Sequence, residues 1–158
     1  MDKGTTAAII VGILVLMLGA LALGWWGRAK RQSGFAHLPP VPAELGEVLG
    51  EFEGLYLATT PTGDPLNRVV VRGLGYRERT TVTIAETGVV MLGNRFIPAE
   101  SITGASRASY TIDRGVEPDG LSVLSWMLGD AELDSYFRLD DPEAFLRVAS
   151  ALTENGKK

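Results

Sequence analysis

The feature that most constrains this chain is an uninterrupted apolar run over residues 7–26, with no charge between Lys3 and Arg28. About 20 residues at about 1.5 Å each give about 30 Å of helix, the thickness of a bilayer's hydrocarbon core. A helix satisfies its own backbone groups, so such a run can cross that core. The core helix of a small soluble domain would be shorter and would keep one polar face, which this run lacks. The sequence therefore predicts one transmembrane helix over 7–26, preceded by a short segment, 1–6.

Charge predicts the orientation. Arg28, Lys30 and Arg31 follow the run, whereas only Asp2, Lys3 and the terminal amine precede it. Basic residues flanking a span stay in the cytoplasm, which puts the N-terminus outside and the rest of the chain at the cytoplasmic face of the cell membrane. Trp25 and Trp26 stand at the basic end, where indoles favour the headgroup layer. Trp25, Trp26, Arg28, Lys30 and Arg31 are thus the expected anchoring residues. Ala20-Leu21-Ala22 imitates a signal-peptide cleavage site, but a signal peptide carries its positive charges ahead of the apolar run, and here they follow it. Ala8/Gly12 and Ala20/Gly24 are each four residues apart, a spacing that lets a second helix approach, although small residues are common in membrane helices generally.

The remainder has a different texture. Residues 27–45 combine the basic collar with Gly34, His37, Pro39, Pro40 and Pro42. Proline forces extended backbone, so the reading is a linker of about 10 to 15 residues. From 46 to 158, 11 Arg and Lys stand against 17 Asp and Glu, a net of −6 within an overall −4. An acidic domain beside a basic collar argues against nucleic acid as a partner, because phosphate neutralisation dominates that binding. It also argues against the whole domain lying flat on anionic lipid. The absence of cysteine excludes disulfides, thiolate chemistry and cysteine-ligated metal.

Short β segments fill the domain. Residues 52–60 lead into Pro61-Thr62-Gly63-Asp64-Pro65, which is turn chemistry. Residues 68–74 alternate toward a second strand. Over 79–85, Thr80, Val82 and Ile84 share one face and Arg79, Thr81 and Thr83 the other. Glu86-Thr87-Gly88 closes a hairpin onto 89–92, and 95–97 begins a further strand that Pro98 limits to an edge or an end. A strand over 101–110, a loop over 113–120, and a hairpin of 121–128 with 132–139 around Gly129-Asp130 follow. Asp141 is placed to cap a final helix whose first turn holds Pro142. Phe145, Val148, Ala149 and Leu152 form its apolar stripe; Glu143, Arg147, Ser150 and Glu154 form its wet side; Gly156 is a stop signal. One such helix can plug the open end of a bent antiparallel sheet.

This order of elements resembles the pleckstrin-homology-like (PH-like) fold: a mainly β, seven-stranded antiparallel barrel or pair of orthogonal sheets with a C-terminal helix, here over 46–155 with a tail at 156–158. Asn94-Arg95-Phe96-Ile97-Pro98-Ala99-Glu100-Ser101-Ile102 resembles the mid-domain segment of bacterial members, and Asp140-Asp141-Pro142-Glu143-Ala144-Phe145 resembles their strand-to-helix junction. The chain is similar to small actinobacterial single-span membrane proteins that carry such a domain. Lipid-binding members of the wider family have a Lys/Arg motif across the first two strands. Here that region holds Arg68, Arg72, Arg77 and Arg79, no lysine, and Glu51, Glu53 and Asp64, which argues against phosphoinositide binding.

Little of this is catalytic chemistry. His37, the sole histidine, lies in the linker, so no imidazole in the domain can activate a serine. Asp130, Glu132 and Asp134 alternate and could share a strand face around a hard cation, but a solvated outer face explains them as well. Asp113, Glu117 and Asp119 lack calcium-loop spacing, and Gly63, Gly73 and Gly75 match no phosphate loop. Trp126 and Met127 read as core. No cofactor is implied. Arg68, Arg72, Arg77 and Arg79 are the candidate interaction patch, with pairing to Glu51, Glu53 or Glu78 as the alternative. The expected function is a membrane-tethered, non-catalytic module that binds a protein partner; the competing reading is an auxiliary subunit of a transport, export or envelope complex that assembles through its transmembrane helix.

Overall fold

The computed structural model describes residues 2–111, 114–115 and 120–155. Two compact units divide the chain, the first ending at Gly34 and the second beginning at Phe35. The first is a single helix, α1 (Lys3–Arg31), continued by a 3-10 turn at Gln32–Gly34. Asp2 caps it by accepting the Gly4 amide, and Arg28, Lys30 and Arg31 occupy its last turn, where cations suit the helix dipole. None of its residues is buried, and its apolar side chains are exposed all round. Such a helix is long and apolar enough to cross a membrane.

The second unit is a seven-stranded antiparallel sheet closed by a helix. The strands are β1 (Val48–Pro61), β2 (Glu78–Ala85), β3 (Gly88–Met91), β4 (Arg95–Pro98), β5 (Ile102–Ala108), β8 (Leu121–Leu128) and β9 (Ala131–Leu139), in the order β4-β3-β2-β1-β9-β8-β5. A separate ribbon pairs β6 (Tyr110–Thr111) with β7 (Arg114–Gly115). The long first strand joins the two halves: its start pairs with β2 from Val48↔Ala85 to Tyr56↔Glu78, and its end pairs with β9 from Gly54↔Leu139 to Pro61↔Leu133. Gly54 belongs to both ladders. A side chain there would place its Cβ 2.2 Å from the Arg138 carbonyl oxygen, so only glycine fits the crossing.

Helix α2 (Pro142–Asn155) packs against β5, β8, β1 and the 3-10 turn at Ala99–Ser101 that links the two edge strands. Asp141 caps it, its Oδ1 accepting the Ala144 amide at 2.9 Å. Phe145, Ala149 and Leu152 are buried and Val148 is half-buried against the core, as their spacing predicts; Glu143, Arg147 and Glu154 are exposed, and Ser150 is half-buried. Phe145 packs edge-on to Phe52, with ring centroids 5.5 Å apart, and lies 6.2 Å from Phe137. A second, smaller cluster joins Leu57, Leu121, Val123 and Tyr136.

Three expectations need correction. Residues 68–74 are not a strand. Arg72 and Gly73 have consecutive φ values of 61° and 76°, which ends any extended run, and the Leu74 amide turns back to the Val71 carbonyl. Val69 and Leu74 are still fully buried, so the segment's apolar residues reach the core from a folded strap. The strand expected over 101–110 is shorter, running from Ile102 to Ala108. The compact unit begins at Phe35 and not at 46: Phe35 and Leu38, expected in a free linker, pack against the core. The loop expected over 113–120 and the stop at Gly156 fall largely or wholly outside the described residues.

Candidate interaction site

The four arginines singled out in the sequence do not present one cationic surface. Arg68 turns inward, donating from Nη2 to the Leu57 carbonyl at 3.0 Å and from Nη1 to Gly75 at 3.3 Å. Arg72 donates from Nη2 and Nε to the Phe35 carbonyl, at 2.8 and 3.3 Å. Both guanidinium groups thus pin backbone segments to the domain. Arg77 and Arg79 are exposed, and Arg79 borders a shallow concavity on the β1–β2–β3 face together with Glu51, Glu53 and Glu78. Charge on that face is mixed and mainly acidic.

The strap between β1 and β2 is fixed from beneath by a buried polar chain that sequence patterning did not reveal. Trp126 Nε1 donates to Ser135 Oγ at 2.9 Å, Ser135 Oγ lies 2.7 Å from Thr59 Oγ1, Thr59 Oγ1 lies 2.8 Å from Tyr56 Oη, and Tyr56 Oη donates to the Leu74 carbonyl at 2.9 Å. The indole can only donate and the carbonyl can only accept, so each hydroxyl between them passes its single hydrogen in the same direction. Every link is satisfied, which is the condition for burying such groups at low cost. Burial pushes the Tyr56 phenol well above its ordinary range, against smaller lowering effects of Thr59 and Arg68. Thr59 stands beside Thr60, and Ser135 between Asp134 and Tyr136, so no alternation along either strand marks these hydroxyls, and only their register against each other could have exposed the chain.

The carboxylates of β9 are engaged across the strands. Ser125 Oγ donates to Asp134 Oδ1 at 2.6 Å, and Thr103 Oγ1 donates to Glu132 Oε1 at 3.3 Å. Among the described residues no three His, Asp or Glu side chains gather as a metal site. His37 is exposed on the extended segment after α1.

Among the described residues, what the fold leaves open is a sheet edge. An edge strand turns alternate N–H and C=O groups away from its one partner. The edge at β4 is four residues long and ends in Pro98, which has no amide hydrogen. The edge at β5 is longer, seven residues, bulged between Ile102 and Gly104 where it pairs with β8. It runs beside α2, to which Arg107 is tied by a 2.7 Å ion pair with Glu143. Thr103 and Ser106 are exposed on it. A strand edge flanked by a helix suits strand addition: main-chain bonds hold an extended peptide and the neighbouring helix reads its side chains.

Comparison with known proteins agrees with this architecture. The family described as "Bacterial PH domain-like" matches residues 35–153. The matched region begins at Phe35, the same residue at which the compact unit begins. No curated protein matches the chain.

Proposed function

The chain belongs to the bacterial PH domain-like family, and from that premise we propose that it is a membrane-tethered, non-catalytic interaction module. In this reading α1 crosses the cell membrane once with its N-terminus outside, as in the actinobacterial proteins the chain resembles, and the domain binds a protein partner at the cytoplasmic face. The observation that carries the binding role is the open β5 edge beside α2, the longer of the two free ladders of the sheet. The basic last turn of α1 supports the orientation.

Photo-crosslinking amino acids at Thr103 and Ser106 of the full-length protein in its native membrane test the edge directly. A discrete crosslinked partner at these positions, retained when residues 1–34 are removed, is expected. Crosslinks arising only from Gly12 or Gly24, and lost with the helix, would favour the auxiliary subunit assembled through α1. That second reading draws on the helix alone, where Ala8/Gly12 and Ala20/Gly24 each place small residues four apart on one side. A reporter active only outside the cytoplasm, fused after Lys158, should be silent; strong activity would reverse the orientation.

A further inference from the structure

We propose that residues 35–44 form a detachable latch that holds the strap between β1 and β2 in a turn its own sequence disfavours, so that the domain has a docked and a released state. The latch lies wholly within the second unit and is independent of whether α1 crosses a membrane. Its ends are tied and its middle is not. At one end Phe35 and Leu38 pack on the core, and the Phe35 carbonyl accepts from Nη2 and Nε of Arg72. Beyond the other end the Leu45 carbonyl accepts from the Thr87 amide at 3.3 Å and from its hydroxyl at 2.8 Å. Residues 36–44 make no hydrogen bond among the described residues, and most of them are exposed. Pro39, Pro40 and Pro42 have no amide hydrogen to offer. A segment without hydrogen bonds, held mainly by two side chains and one carbonyl, opens far more readily than a strand inside the sheet.

The strap supplies the other half of the device. Arg72 and Gly73 are the central residues of a turn closed by the Leu74 amide on the Val71 carbonyl at 3.1 Å, with φ of 61° and 76°. Glycine adopts that conformation freely and arginine does not. Among the described residues only Arg72 and Leu92 carry a side chain at positive φ. Such strain persists where contacts hold the residue in place, and it gathers at clamps and switches. At Arg72 the contact is the Phe35 carbonyl. The rest of the strap is seated by bonds that do not involve the latch: the Val69 amide to the Thr59 carbonyl at 2.8 Å, and Arg68 to the carbonyls of Leu57 and Gly75. Release of Phe35 therefore lets the turn at Arg72 and Gly73 relax while residues 68–70 stay seated. A partner that captures Phe35 and Leu38 reshapes the turn, and one that grips the turn tightens the latch, because such coupling is reciprocal.

Hydrogen exchange of the full-length protein in detergent micelles, read amide by amide by NMR, separates the two states. The Leu74 amide reports the turn and the Val69 amide reports the seated part of the strap. Phe35→Ser should speed exchange at Leu74 by about tenfold or more and leave Val69 within about twofold of the parent. With Arg72→Gly the turn no longer strains a side chain, so adding Phe35→Ser should leave Leu74 unchanged. A second variant, Ala36→Cys/Gly129→Cys, removes no core side chain. The chain has no cysteine of its own, and a Cβ at Gly129 would stand 3.2 Å from that of Ala36, close to the separation a disulfide spans. Oxidation should pin the latch and slow exchange at Leu74 relative to the reduced form of the same variant. The latch is overturned by any of four results: Leu74 exchange unchanged by Phe35→Ser, equal acceleration at Leu74 and Val69, the same effect of Phe35→Ser with and without Arg72→Gly, or Leu74 exchange indifferent to the oxidation of the cysteine pair.

Discussion

Helix α1 and the domain's core use the same kinds of side chain in opposite ways. Leu16, near the middle of α1, is 74 % exposed, whereas Phe145, in the first turn of α2, is fully buried. Both helices are apolar, but α1 is apolar all round and α2 only along a stripe. A stripe can be satisfied by a sheet from the same chain; a complete cylinder can be satisfied only by an apolar surrounding outside it. The difference teaches that hydrophobicity alone does not say where a helix goes. Its angular distribution does.

The largest effects should fall where that difference is enforced. Phe145→Ala removes the ring between Phe52 and Phe137 and should cost the domain about 3 to 5 kcal/mol, read by denaturant melts of residues 35–158. A cost near zero would mean that α2 does not seal the sheet, and the contrast with α1 would collapse. Leu16→Arg tests the other side. A charge at the centre of a span costs about 3 kcal/mol, so the membrane-bound fraction should fall while the domain's melt stays the same. An unchanged membrane fraction would count against a span.

Ser135→Ala sharpens the view from inside the sheet. It leaves the Trp126 indole hydrogen without its acceptor and removes the hydroxyl facing Thr59, which should cost about 1 to 3 kcal/mol. Tyr56 adds a pH signature. Its phenol ionises more readily unfolded than folded, so the stability it confers is complete below the unfolded value of 10.0 and declines as pH rises above it. Alkaline melts should show that decline, and Tyr56→Phe should flatten it even though it also removes two hydrogen bonds. The smallest effect belongs to Arg147→Ala on the wet side of α2, within about 0.5 kcal/mol of the parent protein. A large loss there would show that the exposed side of α2 is also packed.

The candidate interaction site was less legible than the fold. Thr103 and Ser106 carry no signal of their own: they become interesting only because β5 ends the sheet, a fact of strand order and not of composition. The arginines gave the reverse lesson. They cluster in the sequence, but Arg68 and Arg72 fold inward to backbone carbonyls of residues 11 and 37 positions away, and charge patterning cannot register a carbonyl as a partner. The prolines of the 27–45 segment suggested a spacer because proline favours extended backbone in a free linker and in a docked segment alike.

The sequence by itself determined the long apolar helix, the hairpin turns, the capped terminal helix and its buried stripe. These follow from local periodicity and from residues whose backbone preferences act over a few positions. Only the tertiary structure decided that residues 68–74 form a strap, that Gly54 is the crossing of two ladders, that Phe35 starts the domain, and that β5 is the open edge. Each depends on which distant segment lies alongside, and side-chain patterning along a chain specifies which face is apolar without specifying what that face will meet.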